Sequence, residues 1–379
     1  MKVLKYIILI LLLWEISSFS LEVFGETAGS YTSHLANILL IVYYFLSKKR
    51  KILFPFLILG GLYFMISGLV EVPDAKAFIN EFIKYLILIV GGAEVARDTS
   101  LKDLCFILLI GSLSILVHAL FFVDGYGRYS GFYLDPNAGA FVSLIGYCLS
   151  FKLKNNKLKL ILLFAFTFTG VITFSRFFLI MWLFISILAA ISDRKNSLGL
   201  VIGFSALLLL ISVAAILQVN SARFSIIENL FESKIQTTAF TKDSRTEQWS
   251  AYLDDIYKNP LIGNGYKSFM GTELKQGVHN TYLMVIGESG IMPFLILIGV
   301  YVSMFKRSLS RFKSHIHLTL ISISLLGILM VIHNYFSNDF LIFISIWLLV
   351  KLGEESIIDD SDKNNENTDT EASTILSPI

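Results

Sequence analysis

The chain is a succession of long, continuous apolar runs separated by short basic turns, and few folds can accommodate that pattern. Stretches such as Ile7-Ile8-Leu9-Ile10-Leu11-Leu12-Leu13 do not alternate apolar with polar residues. In a bilayer every backbone N–H and C=O must be bonded within the protein, which leaves helices or closed barrels. Barrel strands alternate, so these runs specify an all-α polytopic membrane protein. Composition agrees: 55% of residues are hydrophobic and 16% charged, against about 25% charged in soluble domains. The net charge of +2 is spread over many turns, so no nucleic-acid partner is expected. Cys105 and Cys148 both fall inside apolar runs and read as small buried hydrophobes.

A helix needs about 20 apolar residues to cross the core, with shorter runs tolerated by tilt and anchoring. That rule gives about twelve spans, at 4–20, 32–47, 52–70, 80–96, 104–123, 136–151, 158–174, 177–192, 198–219, 281–305, 316–333 and 339–352. Lys2 and Lys5 before the first run resemble a secretory signal, but Glu15 interrupts it and no small-x-small site follows, so it reads as an uncleaved helix. Alternate turns carry the Lys and Arg excess, including Lys48-Lys49-Arg50-Lys51 and Lys152 to Lys159. The positive-inside rule then puts both termini in the cytoplasm and the segment 220–280 outside. The expected organisation is one transmembrane helical domain over 1–352, with 220–280 as its external catalytic loop. An acidic, disordered cytoplasmic tail follows over 353–379.

Two short helices are expected in the loop. Phe224, Ile227, Phe231 and Ile235 fall at helical spacing and suit the membrane interface. A second helix starts at Ser244, with Glu247 completing a capping box, and stops before Pro260. Its expected apolar face is Trp249, Tyr252, Leu253, Ile256 and Tyr257. Gly263 and Gly265 after it suit a tight turn.

The order Arg245, Trp249, Asn259-Pro260-Leu261-Ile262-Gly263-Asn264-Gly265, His279-Asn280-Thr281-Tyr282-Leu283 and Glu288-Ser289-Gly290 resembles the O-antigen polymerase and ligase superfamily. Upstream, Ser175-Arg176 and Gly131-Phe132-Tyr133-Leu134-Asp135-Pro136-Asn137 match elements of the same pattern, the latter with one extra residue before Asp135. The resemblance covers roughly 128–300. It implies a GT-C-like bacterial inner-membrane glycosyltransferase acting on polyprenyl-diphosphate-linked glycans. It also implies metal-independent chemistry without a cofactor, in which arginines supply the positive charge.

Each candidate residue has a functional and a bland reading. Arg245, in a first helical turn, is a diphosphate clamp or a surface arginine paired with Glu247 or Asp243. Arg176, alone in an apolar run, faces a partner or snorkels to headgroups. His279 suits proton removal from an acceptor hydroxyl, the role the resemblance implies, or it caps the next helix. Asp135 and Asn137 bind substrate or cap the helix that Pro136 opens. Arg128 is a further cation, and Asn280 and Tyr282 complete the expected substrate-binding set. Glu288 lies too far along its helix from His279 to serve it and reads as a buried structural carboxylate.

The expected function is a surface-polysaccharide polymerase. It moves a glycan from undecaprenyl diphosphate to a hydroxyl of a lipid-linked repeat unit. A ligase using the same donor on lipid A core is the close alternative, and a transporter of lipid-linked sugars the distant one. Glu15 and His118 are the main polar groups deep in spans, and no internal repeat suggests alternating access. The partners expected are the undecaprenyl-diphosphate-linked oligosaccharide, the bilayer and a chain-length regulator protein.

Overall fold

The computed structural model describes residues 1–48, 50–70, 72–122, 128–216, 245–271 and 275–354. The expected helix around Phe224 to Ile235, the Ser244 cap and the acidic tail from 355 onward lie outside the described residues. The described chain is all-α: its one extended pairing is an isolated bridge between Gly271 and Gln276. The helices are α1 (Lys2–Leu13), α2 (Ile16–Phe24), α3 (Glu26–Leu46), α4 (Phe54–Ser67), α5 (Ala75–Arg97), α6 (Leu101–Phe121), α7 (Pro136–Ser150) and α8 (Asn156–Ile172). They continue with α9 (Arg176–Ser192), α10 (Leu198–Ile216), α11 (Arg245–Lys258), α12 (Thr281–Ser289), α13 (Ile291–Leu309), α14 (Ile316–Ile328) and α15 (339–354).

Caps written in the sequence start several of them. Ser100 and Asp103 form a reciprocal capping box for α6, Asn155 caps α8, and Asp135 caps α7 with Pro136 in its first turn. The centre is α7, buried at every position from Gly139 to Ser150, with α14 and α15 beside it. A helix apolar all round belongs in an interior. α7 packs on α6, α8, α9 and α14. The opposite surface is also apolar: Ile180, Phe184, Ile187 and Ile191 of α9 and Val201, Phe204 and Leu208 of α10 are exposed. An apolar outside of that extent identifies a membrane protein.

Every expected span contains a helix, but not every helix is a full span. Among the described residues, α6 and α13 are long and apolar enough to cross a bilayer, and α1 with α2 makes a third if a bend of 62° is counted within one span. Three expected runs are therefore corrected. The 4–20 run breaks at Glu15, which adopts a left-handed backbone at φ 49°. The 281–305 run breaks at Gly290, φ 77°, between α12 and α13. The 316–333 run ends as a helix at Ile328, because carbonyls beyond that point bond elsewhere: Leu329 O accepts from Thr281 N at 2.8 Å, and Ile332 O from Thr281 Oγ1 at 2.9 Å.

The described part of the polar loop, 245–271 and 275–280, is docked rather than loose. Asn264 N donates to Gly287 O at 2.7 Å, Gly265 N to Glu288 O at 3.1 Å, and Ile291 N to Pro260 O at 2.9 Å. The Asn-Pro-Leu-Ile-Gly-Asn-Gly segment thus completes the backbone bonding at the α12–α13 break. Glu288, fully buried, accepts from the Tyr63 hydroxyl and from Phe269 N at 3.1 Å, so it is a structural carboxylate tying α12 to α4 and to the loop. Tyr266 N donates to Ser67 O at 3.1 Å, and Lys267 pairs with Glu81 at 2.7 Å. On α11 the buried face is narrower than the sequence suggests: Tyr252 and Ile256 are buried and Trp249 half-buried, while Leu253 and Tyr257 are exposed. Positions 249, 252 and 256 share one side of a 3.6-residue helix, and 257 is rotated off it.

Gly290 tests this docking. A side chain there would strike Leu261 O, and the backbone lies in a region that essentially only glycine occupies. Gly290→Ala is expected to destabilise the protein by about 1–3 kcal/mol or more, read as a lowered thermal midpoint in nanodiscs with loss of activity. An unchanged midpoint would contradict the docking.

Candidate functional site

Four helices begin at one place. α7 starts after Asp135, α9 after Ser175, α12 after Asn280, and Arg245 is the first residue of α11. Each of the three caps bonds its own first turn: Asp135 Oδ1 accepts from Asn137 N at 2.7 Å, Ser175 Oγ from Phe178 N at 3.4 Å, and Asn280 Oδ1 from Tyr282 N at 3.0 Å and Leu283 N at 3.3 Å. The residue before each cap is left-handed: Leu134 at φ 57°, Phe174 at φ 50° and His279 at φ 44°. Non-glycine residues in that region cost of order 1–3 kcal/mol and cluster at functional sites. α7 and α9 are joined directly, Ser175 Oγ donating to Asn137 Oδ1 at 2.8 Å.

The charges meet at these starts. Arg245 is half-buried, and its Nη1 donates to Met330 O at 3.5 Å. Burial, and then the charge of Arg176, hold it below the ordinary guanidinium value, with Asp135 acting the other way. Arg176 is exposed, occupies the first position of α9, and makes no hydrogen bond or ion pair with a described residue. A cation at a helix N-terminus opposes the helix dipole by about 0.3–1 kcal/mol. Two such arginines within reach of each other leave a surplus of positive charge that an anion would relieve.

His279 stands beside them with its ring edge-to-face on His333, centroids 4.3 Å apart. Though exposed, it is held below the usual imidazole value by partial desolvation and then by the Arg245 charge, Asp135 opposing. It does not cap α12, since Asn280 does. The position is fixed from behind: Gln248 Nε2 donates to Gln276 Oε1 at 2.6 Å, Tyr252 Oη to Gln276 O at 2.6 Å, and Val278 N to Phe269 O at 3.2 Å.

The structure thus brings Asp135, Arg176, Arg245 and His279 together and gives other expected site residues different tasks. Asn137 holds Ser175, Asn280 is a buried cap, and the Tyr282 hydroxyl donates to Leu326 O at 3.0 Å on α14. These residues build the site's walls. Arg128 lies beside Tyr129, whose ring packs on His118, and His118 Nδ1 accepts from Gly131 N at 3.2 Å. His118 therefore holds the Gly131-to-Asn137 segment on α6. Sequence reasoning missed His333, which lies in the loop after α14, bonds the Met270 carbonyl, and is pushed down to about 4 by burial and the neighbouring His279. Its signal was available: His333-Asn334 repeats the dipeptide His279-Asn280. Among the described residues, no group of three or more His, Cys, Asp or Glu is placed to hold a metal ion.

A helical membrane protein with Arg176, Arg245 and His279 at converging helix starts presents a positively charged site suited to an anion. Residues 160–298, from α8 into α13, match the model of a family described as O-antigen ligase. Over that segment the chain is similar to the O-antigen polymerase and ligase superfamily. The matched segment contains Arg176, Arg245, His279 and Glu288, whereas Arg128, Asp135 and Asn137 precede it. No curated protein matches the chain. The match indicates a membrane enzyme of O-antigen polymerase or ligase type, acting in polysaccharide biosynthesis.

His279 offers a clean test, because asparagine tolerates a left-handed backbone and the cap lies at the next residue. His279→Asn is expected to fold normally and to lose transfer by about 100- to 10,000-fold, the usual contribution of general-base catalysis. A depressed imidazole stays unprotonated to lower pH, so the wild-type rate should persist as pH falls through about 6.5 and disappear only below it. An active His279→Asn enzyme, or an acid limb at or above that pH, would remove His279 from proton transfer.

Proposed function

We propose that the protein transfers a glycan from undecaprenyl diphosphate to the hydroxyl of a lipid-linked repeat unit, as a surface-polysaccharide polymerase on the outer face of the bacterial inner membrane. The observation that carries this reading is the pairing of Arg176 and Arg245 at the starts of α9 and α11. The acceptor oxygen attacks the anomeric carbon, and the bond from that carbon to the diphosphate oxygen breaks. The electron pair leaves with the diphosphate, which gains one negative charge, and the acceptor proton passes to His279. Fixed positive charge aimed at the leaving group is then the largest catalytic contribution. Asp135 balances the arginines and His279 without neutralising them.

In this reading the chain crosses the membrane about twelve times, with tilted or broken helices counted as spans, and both termini are cytoplasmic. Residues 1–352 form one transmembrane domain carrying 220–280 as its catalytic loop. The partners are the lipid-linked oligosaccharide, the bilayer and a chain-length regulator, and arginines stand where a metal would otherwise act.

The family description favours a second reading, in which the acceptor is lipid A core and the enzyme a ligase. Deleting the gene separates the two. Loss of a polymerase leaves single repeat units on the surface lipid, whereas loss of a ligase leaves bare core while lipid-linked polymer accumulates. We expect the first pattern, restored by the wild-type gene and not by Arg176→Ala. An unaltered glycan ladder in the deletion strain would overturn both readings.

A further inference from the structure

The break in the first span opens a cavity beside the arginine cluster. α1 ends before Trp14, Glu15 turns left-handed, and α2 leaves at 62°. The space created, about 70 Å3, is lined by Glu15, Ser17, Asn334, Ser337, Asn338 and Asp339. The second wall is therefore the stretch that directly follows His333. A water needs about 10–15 Å3 measured in this way, so the cavity has room for several waters or for the hydroxyl-bearing edge of one sugar ring. α1 rises from the Lys5–Asp103 ion pair at the cytoplasmic side, and its 12 residues, at about 1.5 Å each, put Glu15 in the outer half of the membrane.

Two carboxylates here lack partners. Neither the Glu15 nor the Asp339 carboxylate makes a hydrogen bond or ion pair with a described residue, and Asp339 and Asp135 are both within electrostatic reach of Glu15. Lys84 is the cation that reaches Asp339. Tyr133, 2% exposed, has no hydrogen-bond partner for its hydroxyl among the described residues, and that hydroxyl lies over Gly111 within electrostatic reach of Glu15. Enclosed polar groups without partners are costly and rare. Carboxyl oxygens accept hydrogen bonds, which suits an occupant that brings donors. Sugar hydroxyls do so, and they also accept from the Asn334 amide and the serine hydroxyls. Trp14, the residue before Glu15, stacks on Phe132 at 5.6 Å, with Phe19 edge-on to Phe132 at 5.3 Å, so an indole ring stands next to the break.

Asp135 makes the connection to the chemistry, since its charge reaches Glu15 on one side and Arg245, His279 and His333 on the other. We propose that this cavity is the acceptor-glycan subsite, in which Glu15 and Asp339 hydrogen-bond sugar hydroxyls and turn the attacking one toward His279. The assignment rests on the glycan-transfer reading, and it separates the acceptor's place from the donor diphosphate's.

The test uses the full chain in nanodiscs, titrated with the repeat-unit oligosaccharide released from its lipid by mild acid, so that no diphosphate is present. Binding is read from the fluorescence of Trp14, with Trp14→Phe identifying its share of the signal. Saturable binding is expected, weakened about tenfold or more by Glu15→Gln and by Asp339→Asn. Arg176→Ala should bind the free oligosaccharide normally while losing transfer. No saturable signal in the wild type, or equal affinity in both carboxamide variants, overturns the subsite. A saturable response to sodium or calcium chloride without one to the glycan overturns it in favour of a cation site. If glycan binding depends on the two carboxylates but Arg176→Ala still transfers, the subsite stands and the arginine mechanism falls.

Discussion

The arrangement depends on holding Arg176 and Arg245 close together at the positive ends of two helices. Neither the helix dipole nor the neighbouring charge favours either residue there. What keeps them in place is structure built around them. Ser175 caps α9 and is bonded to Asn137 of α7, and Arg245 leans on the Met330 carbonyl exposed where α14 ends early. A site organised against its own electrostatics is what a leaving diphosphate requires, because preorganised charge needs no rearrangement during reaction.

The same logic explains the backbone. Leu134, Phe174 and His279 each occupy a left-handed conformation immediately before a cap. Their strain turns the chain sharply into α7, α9 and α12, so that three helices can begin side by side. Opposing it is the docking of the loop onto the α12–α13 break, with buried Glu288 bonded to Tyr63 and to Phe269 N. Lys275 adds a further tie, pairing with Asp255 at 3.0 Å and lying 3.5 Å from the centre of the Tyr252 ring. The described part of the loop behaves as part of the helical body, which is how a histidine on it can hold a defined position.

Much of this was legible in the sequence, and the failures have physical causes. Hydropathy located the helices because backbone satisfaction in lipid admits little else. Asp135-Pro136 announced the start of α7, since both residue types have local reasons to be there. Arg176, Arg245 and His279 stood out as polar groups in an apolar chain. The breaks were harder. Gly290 lies in a run whose hydropathy is uninterrupted, and its left-handed turn depends on Leu261 and Pro260 arriving from a distant segment. The early end of α14 likewise depends on Thr281 taking its carbonyls. His333 looked like the tail of an apolar span, and only the short α14 turns it into a neighbour of His279.

The central claim is that Arg176 and Arg245 together hold the departing diphosphate. The direct measurement is the affinity of the purified protein in nanodiscs for undecaprenyl diphosphate, the leaving group itself, by calorimetry. Arg176→Ala and Arg245→Ala are each expected to weaken binding by about tenfold or more, and Arg245→Lys should remain weak because a point charge does not reproduce the guanidinium fork. His279→Asn should bind it as the wild type does. Equal affinity in the wild type and both alanine variants would contradict the account.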